Sequence, residues 1–282
     1  MNQKQKRISR LFDSQTSRAV MIPMDHGILG VPEGLEDPLD ALREFSSLGA
    51  ESLLVNLGVA KLAAPILNEM DSHPSLVLAM DFNLRWPEWK TPLDGGDVIM
   101  GHCFKAEPEQ ALKYGADAVK IYFALGLEPS VQLEVIRNIC TLIRESDRLD
   151  MPVMVEPVTD GRYIPEEKKR DSRIIEDGCR ISLEMGADIV KAPFYGDTES
   201  FAALCSRAHV PVVMLGGVKQ KTVRSIFRMA RDGVDCGAAG TIFGRNVWQR
   251  PREEMRRVVR GLQDIVHLGA GVDDTLEKYG LE

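Results

Sequence analysis

Short apolar segments rich in β-branched residues recur along the chain. They are "AVMIPMDHG" (19–27), "ESLLVNLGV" (51–59), "SLVLAMDFN" (75–83), "DAVKIYFALG" (117–126), "MPVMVEPV" (151–158), "ADIVKAPF" (187–194), "VPVVMLGG" (210–217) and "CGAAGTIFGR" (236–245). Near-continuous apolar runs, rather than strict alternation, mark strands buried on both faces. Most are separated by segments of helical periodicity, such as "DPLDALREFSSLGAE", "EPEQALKYGADA" and "QKTVRSIFRMARDG". The first of these opens on Asp-Pro, and in several a glycine lies near the helix end just before the next strand, which is the pattern of repeated βα units. Eight such units predict a (β/α)8 TIM barrel, with residues 1–282 forming one domain. An open doubly wound sheet would place a GxGxxG turn after its first strand, and none is there.

Residues 84–105, "LRWPEWKTPLDGGDVIMGHCFK", exceed an ordinary βα loop and contain Trp86, Trp89 and a Gly-Gly pair. They read as a lid, an edge elaboration or an oligomer contact. The first residues predict a helix over the lower end of the barrel, and the chain after 251 predicts the last helix.

Composition narrows the functional classes. Hydrophobic residues make up 44% and charged residues 27%, as expected of a globular protein with an ample core. A net charge of -7 disfavours nonspecific binding to nucleic acid and to anionic membranes. Cysteines 103, 140, 179, 205 and 236 form no CxxC pair or zinc-type spacing and read as reduced core thiols. Histidines 26, 73, 102, 209 and 267 form no ligand cluster in sequence, so neither a metal nor another cofactor is expected. No apolar run approaches the roughly 20 residues that span a bilayer, and no apolar h-region follows the basic start. A cytoplasmic location is expected.

In a TIM barrel, chemistry gathers at the C-terminal ends of the strands. That rule selects Asp25 and His26 after the first strand, Lys120 on the fourth, Glu156 on the fifth and Lys191 on the sixth. Gly216, Gly217, Gly244 and Arg245 follow the seventh and eighth. Each alone has a structural reading: carboxylates as caps or ion-pair partners, His26 as a packed histidine, a strand lysine as a snorkelling one. Two lysines and two carboxylates converging from different strands point instead to chemistry. Burial of Lys191, helped by a neighbouring Lys120 or Arg245, would favour its free amine. A free amine attacks carbonyls to form a Schiff base, and Asp25 or Glu156 could move the protons. The two glycine turns, one carrying Arg245, present backbone N–H groups suited to phosphate.

These motifs resemble the class I aldolases of the DeoC/LacD group. The likeness runs from "MIPMDHGILGVPEGLEDP" through "GADAVKIYF", "MPVMVEPV" and "GADIVKAPFYGD" to "VVMLGG" and "GAAGTIFGRN". It implies Schiff-base formation at Lys191, proton transfer involving Asp25, and substrate phosphate on the paired turns. The fructose-bisphosphate and heptulosonate branches carry "YPRG" after the fifth strand, whereas this chain has "VEPVTDG", with Val158 at the tyrosine's place. "VEP" and Lys120 are similar to the tagatose-bisphosphate and sulfofructose-phosphate aldolases, so the resemblance moves the proton-handling role to Glu156. The expected activity is cleavage of a phosphorylated ketose to dihydroxyacetone phosphate and an aldehyde, by a homo-oligomer without cofactor. Alternatives are an acyl transferase on a phosphorylated diketone, a heptulosonate-type synthase, a zinc aldolase and a noncatalytic sugar-phosphate sensor.

Overall fold

The computed structural model describes residues 2–67, 69–70, 72–86 and 98–281. Eight parallel strands close into a barrel: β1 (Ala19–Pro23), β2 (Ser52–Val55), β3 (Ser75–Ala79), β6 (Ala116–Ala124), β7 (Val153–Val158), β8 (Ile189–Pro193), β9 (Val212–Leu215) and β10 (Gly240–Ile242). The last pairs with the first, Ala19 opposite Gly240. Strand side chains alternate between two apolar environments. Met21, Leu54, Val77, Ala79, Ala118, Met154, Ile189, Val213 and Ile242 fill the barrel interior. Val20, Ile22, Leu53, Val119, Val155 and Val190 pack outward against the helices. Both faces are apolar, which is why the sequence shows runs rather than alternation.

The lower end is closed by α1 (Gln3–Arg10) and the following Leu11, which is fully buried among the interior residues. Arg10 pairs with Asp117 at 3.0 Å, and the Ser52 hydroxyl donates to the Leu11 carbonyl. Around the barrel lie α2 (Pro38–Ser47), α4 (Pro108–Lys113), α5 (Pro129–Asp147), α6 (Ser172–Met185), α7 (Thr198–Ala208) and α8 (Val223–Asp235). The chain ends in α9 (Arg245–Trp248), α10 (Arg252–Gln263) and α11 (Val272–Tyr279). Asp37, Asp171, Asp197 and Thr222 cap their helices through side-chain oxygens that accept backbone N–H groups. Gly186, at φ 106°, ends α6 in the left-handed conformation that turns the chain directly into β8.

Three sequence expectations need correction. The segment read as strand to residue 59 stops at Val55, and Leu57–Leu67 form helix α3, with Ala60, Ala63 and Leu67 buried at helical spacing. The segment read as one strand over 75–83 ends at Ala79: strands β4 (Asp81–Trp86) and β5 (Val98–Phe104) form an antiparallel hairpin that rises from the end of β3 and takes in much of the stretch 84–105, read as a lid, an edge elaboration or an oligomer contact. Trp89 lies outside the described residues. The cysteines are free, but only Cys179 is buried; Cys103 and Cys140 are exposed. Cys140 stands on the solvent side of α5, where the apolar neighbours in sequence point the other way. Among the described residues, no helix is long and apolar enough to cross a membrane.

Candidate active site

Alternation along the strands builds the site one layer above the interior core. Ala118, Met154 and Ile189 face the barrel axis, so the residues two positions on, Lys120, Glu156 and Lys191, face it too. They are 5%, 7% and 5% exposed, buried despite their charge. Glu156 joins the two amines: its Oε2 lies 2.6 Å from Nζ of Lys120 and its Oε1 3.0 Å from Nζ of Lys191. Of the two cations considered as a neighbour for Lys191, Lys120 is the one linked to it through this carboxylate. Burial alone would push the Lys120 ammonium down. The carboxylates of Glu156, Asp81 and Asp25 outweigh it and hold the pKa above the ordinary lysine value.

Asp25 opens a 3₁₀ turn (Asp25–Leu29) just beyond β1, which brings its carboxylate over the mouth. Its Oδ2 is 4.0 Å from Lys120 Nζ, and its Oδ1 is 3.4 Å from Nδ1 of His26, a close contact without hydrogen-bond alignment. Burial raises the Asp25 carboxyl, but His26, Lys120 and Lys191 together hold it well below the usual carboxylate range. His26 packs edge-on against Trp248 at 5.4 Å. The Trp248 indole N–H donates to the Pro23 carbonyl, tying α9 to the end of the first strand.

Several residues here were not singled out from sequence. Asp81, where the chain leaves β3 for the hairpin, is 6% exposed. Its Oδ2 accepts from the Tyr122 backbone N–H at 3.1 Å and contacts Nε2 of His102 at 3.1 Å. The Asn138 amide on α5 donates both to Nδ1 of His102 and to the His102 carbonyl, which places the ring proton on Nε2, facing Asp81. Burial raises the Asp81 carboxyl, yet His102, Lys120 and Lys105 hold it below its ordinary value. Asn56, after β2, donates to the Asp25 carbonyl at 2.6 Å and accepts from Nζ of Lys105 at 2.8 Å. Tyr122 donates to Asp160, which also pairs with Arg85 at 2.8 Å. Asp81 and Asn56 end their strands and were open to the same strand-end rule. Lys105 lies in the stretch 84–105, which read as a lid, an edge elaboration or an oligomer contact and so fell outside the strand-end rule.

On the opposite side of the mouth, Gly216 and Gly217 follow β9, and Gly244 precedes Arg245 at the start of α9. A Cβ on Gly216 would lie 2.8 Å from the Asn246 amide nitrogen and 2.9 Å from the Phe243 ring. Fully buried Asn246 staples this loop, donating to the Gly216 carbonyl and accepting from the Gln220 N–H. Gly217, at φ 62°, adopts the left-handed conformation with open space beside it. The two turns thus sit side by side, as the adjacency of β9, β10 and β1 requires.

Residues 19–250 match the family described as DeoC/LacD family aldolase. The chain belongs to that family. It is 29% identical to the 2-amino-3,7-dideoxy-D-threo-hept-6-ulosonate synthase of Halobacterium salinarum, over 99% of this chain and 97% of that protein. It is 28% identical to an uncharacterized aldolase of Saccharolobus solfataricus, over 96% and 97% of the two chains. The crystal structure of an archaeal fructose 1,6-bisphosphate aldolase superposes with a TM-score of 0.79 at 26% identity, covering 95% of this chain and 100% of that one. This DeoC/LacD family member is therefore an aldolase on a TIM barrel.

Proposed function

We propose that the enzyme reversibly cleaves a phosphorylated ketose to dihydroxyacetone phosphate and an aldehyde, with Lys191 as the nucleophile. The observation that carries this reading is the Glu156 carboxylate, held 3.0 Å from a buried Lys191 by a second lysine. The substrate phosphate lies on Gly216, Gly217 and Gly244, clamped by Arg245, and His26 contacts substrate beside Asp25.

Lys191 in its free-amine form adds to the ketose carbonyl, and the alkoxide takes up a proton to give a carbinolamine. Glu156, in reach of Nζ, carries protons as hydroxide departs as water and the iminium forms. The iminium draws electrons from the adjacent carbon–carbon bond. A carboxylate removes the proton of the hydroxyl on the leaving carbon, the bond breaks, and aldehyde and enamine result. Protonation of the enamine carbon and addition of water then release dihydroxyacetone phosphate and restore the amine. Asp25, held far below the usual carboxylate range, is a weak base. It suits orientation of a hydroxyl, which leaves Glu156 as the principal proton carrier. Lys120 keeps Glu156 in place and binds a substrate oxygen.

Borohydride reduction with dihydroxyacetone phosphate should add the corresponding mass at Lys191, and Lys191→Ala should abolish both adduct and turnover. An adduct elsewhere, or none, would overturn the assignment. The heptulosonate-synthase relative supports a second reading, a transaldolase-type transfer of the same enamine to another acceptor. Val158 at the place of the tyrosine in that branch speaks against it. Acyl transfer to coenzyme A is separated by product analysis with and without that thiol.

A further inference from the structure

Tyr122 reaches the mouth from β6, two residues beyond Lys120 and therefore on the same face of that strand. In the pairing of β6 with β7 it stands opposite Glu156. The register of β7 with β8, Val155 opposite Val190, sets Lys191 on the other side of the same carboxylate. The phenol ring centre is 5.0 Å from Nζ of Lys120, so the ring lines the cavity that holds the two amines. Its hydroxyl turns away from them. It donates to Oδ2 of Asp160, two residues past the end of β7, and Arg85 of the hairpin pairs with the same oxygen at 2.8 Å.

The turn that carries Asp160 is fixed. The Gly161 N–H donates to the Leu125 carbonyl at 2.9 Å, and the Tyr163 N–H to the Gly126 carbonyl at 3.0 Å. A Cβ on Gly161 would lie 2.1 Å from the Gly126 backbone, so the turn sits directly on the chain leaving β6. The Asp160 side chain is nevertheless 38% exposed and can exchange protons with water. Burial, and then the Asp160 carboxylate, hold the Tyr122 phenol well above its ordinary pKa in spite of Arg85. A phenolate is thus disfavoured. With its proton committed to Asp160, the hydroxyl oxygen offers only lone pairs to the cavity. It can take up a proton from that side only while passing its own to the carboxylate. Glu156 is meanwhile engaged by both lysines.

The two glycine turns follow β9 and β10, on one side of β8. A ketose bonded to Lys191, with its phosphate on those turns, extends its leaving half to the other side, over β7 and β6. We propose that Tyr122 is a catalytic residue that relays the proton of the leaving carbon's hydroxyl to Asp160. As the carbon–carbon bond breaks, its electron pair enters the iminium to give the enamine. The O–H pair of the substrate becomes part of the new aldehyde C=O, and its proton moves to the phenol oxygen. The phenol's own proton moves to the Asp160 carboxylate, which returns it to water. The phenol is neutral before and after, and condensation runs the same transfers backwards. This rests on the aldolase reading above and identifies the carboxylate of the cleavage step; Glu156 keeps the protons of the carbinolamine and the enamine.

The test separates the two halves of the reaction. Exchange of dihydroxyacetone phosphate with deuterated water, at the carbon next to the iminium, is followed by NMR and needs no aldehyde. Condensation of dihydroxyacetone phosphate with glyceraldehyde or glyceraldehyde 3-phosphate needs the relay as well. In Tyr122→Phe, condensation should fall about 10²- to 10⁴-fold in kcat, the share of a general acid–base group. Exchange and borohydride trapping at Lys191 should stay within about threefold of wild type, which also shows that the variant is folded. Asp160→Asn keeps a hydrogen-bond acceptor but cannot take the proton, and should show the same split. The double variant should be no slower than the slower single one, because the two groups act in series. Equal losses of exchange and condensation would mean a structural role and would overturn the inference. So would losses that multiply in the double variant, an Asp160→Asn enzyme that condenses at the wild-type rate, or a wild type that exchanges but condenses with neither aldehyde. Failure of trapping in the wild type would instead remove the aldolase reading, and this inference with it.

Discussion

The carboxylate of Glu156 touches Lys191 at 3.0 Å through Oε1, while its other oxygen is taken by Lys120 at 2.6 Å. One acid thus joins a nucleophile to an anchoring cation, and the three side chains come from neighbouring strands β6, β7 and β8. Replacing it separates geometry from proton transfer. Glu156→Gln keeps shape and one acceptor but turns an amide N–H toward an ammonium. Turnover should fall about 10²- to 10⁴-fold, the usual share of a general acid–base group. Glu156→Leu leaves buried Lys191 without its ion-pair partner and Lys120 with only Asp25 at 4.0 Å, and should destabilise the fold by roughly 3–5 kcal/mol, read from urea unfolding. A Gln variant with near-normal turnover would move the proton role to Asp25.

The buried Asp81–His102 contact makes a second, separable prediction. Asp81 is depressed below its ordinary value because His102 and the lysines outweigh burial. A depressed carboxyl contributes stability that is fully present above its unfolded value, about 3.9, and is lost as pH falls below it. Asp81→Asn should therefore flatten the acid limb of a stability-versus-pH curve measured between about pH 6 and pH 3. His102→Ala, which removes the Nε2 donor and leaves Asp81 short of a partner, should cost roughly 2–3 kcal/mol at pH 7. His102→Gln, with a donor in reach of the same oxygen, should cost less. Equal losses for both would point to packing rather than to this hydrogen bond.

Much of this arrangement was open to reading from the chain. Lys120, Glu156 and Lys191 sit inside apolar strand runs, and period-two alternation then puts all three on the barrel axis. The helix α3 was not legible, because Leu57 and Val59 continue the apolar run of β2 and their change of period shows only over a longer window. The stretch 84–105 stood out as more than an ordinary loop, with an edge elaboration among its readings, but its Trp, Pro and Gly-Gly hid the short strands of the β4–β5 hairpin. With the hairpin went His102 and Lys105, which reach the site only because the hairpin folds back onto the end of β3. Cys140 misled because its neighbours are apolar, yet its position on α5 faces solvent. Which groups share a carboxylate depends on side-chain reach across strands, and no spacing rule encodes that.

Gly216 and Gly217 adjoin in sequence but should respond differently to substitution. A methyl on Gly216 meets Asn246 and the Phe243 ring at under 3 Å, so Gly216→Ala must displace the staple that shapes the turn. KM for a phosphorylated substrate should rise about tenfold, equivalent to roughly 1.4 kcal/mol, with kcat changed much less. A methyl on Gly217 meets nothing within 4 Å, but the positive φ penalises it. Gly217→Ala should lower stability by about 1–2 kcal/mol while the Asn246 staple survives. Steady-state kinetics and urea midpoints on the two variants give the comparison, and identical behaviour would deny the staple its role.

Lys105 is half-buried and has no carboxylate partner among the described residues, so its charge should lower stability. Its pKa is lowered in the folded protein, chiefly by burial. Below that folded value both states carry the proton, and the full cost of the half-buried ammonium is felt. Between it and the unfolded value of about 10.4, the folded chain sheds the proton first, so the unfolded state binds more protons and stability rises with pH. Lys105→Met has no such dependence. At neutral pH it should melt higher than wild type by roughly 2–4 °C, the shift that about 1 kcal/mol produces in a large domain. The gap should narrow as pH approaches 10. Thermal melts of both proteins from pH 7 to pH 10 provide the measurement. A variant that melts lower than wild type at every pH would mean that Lys105 has a counter-ion in solution.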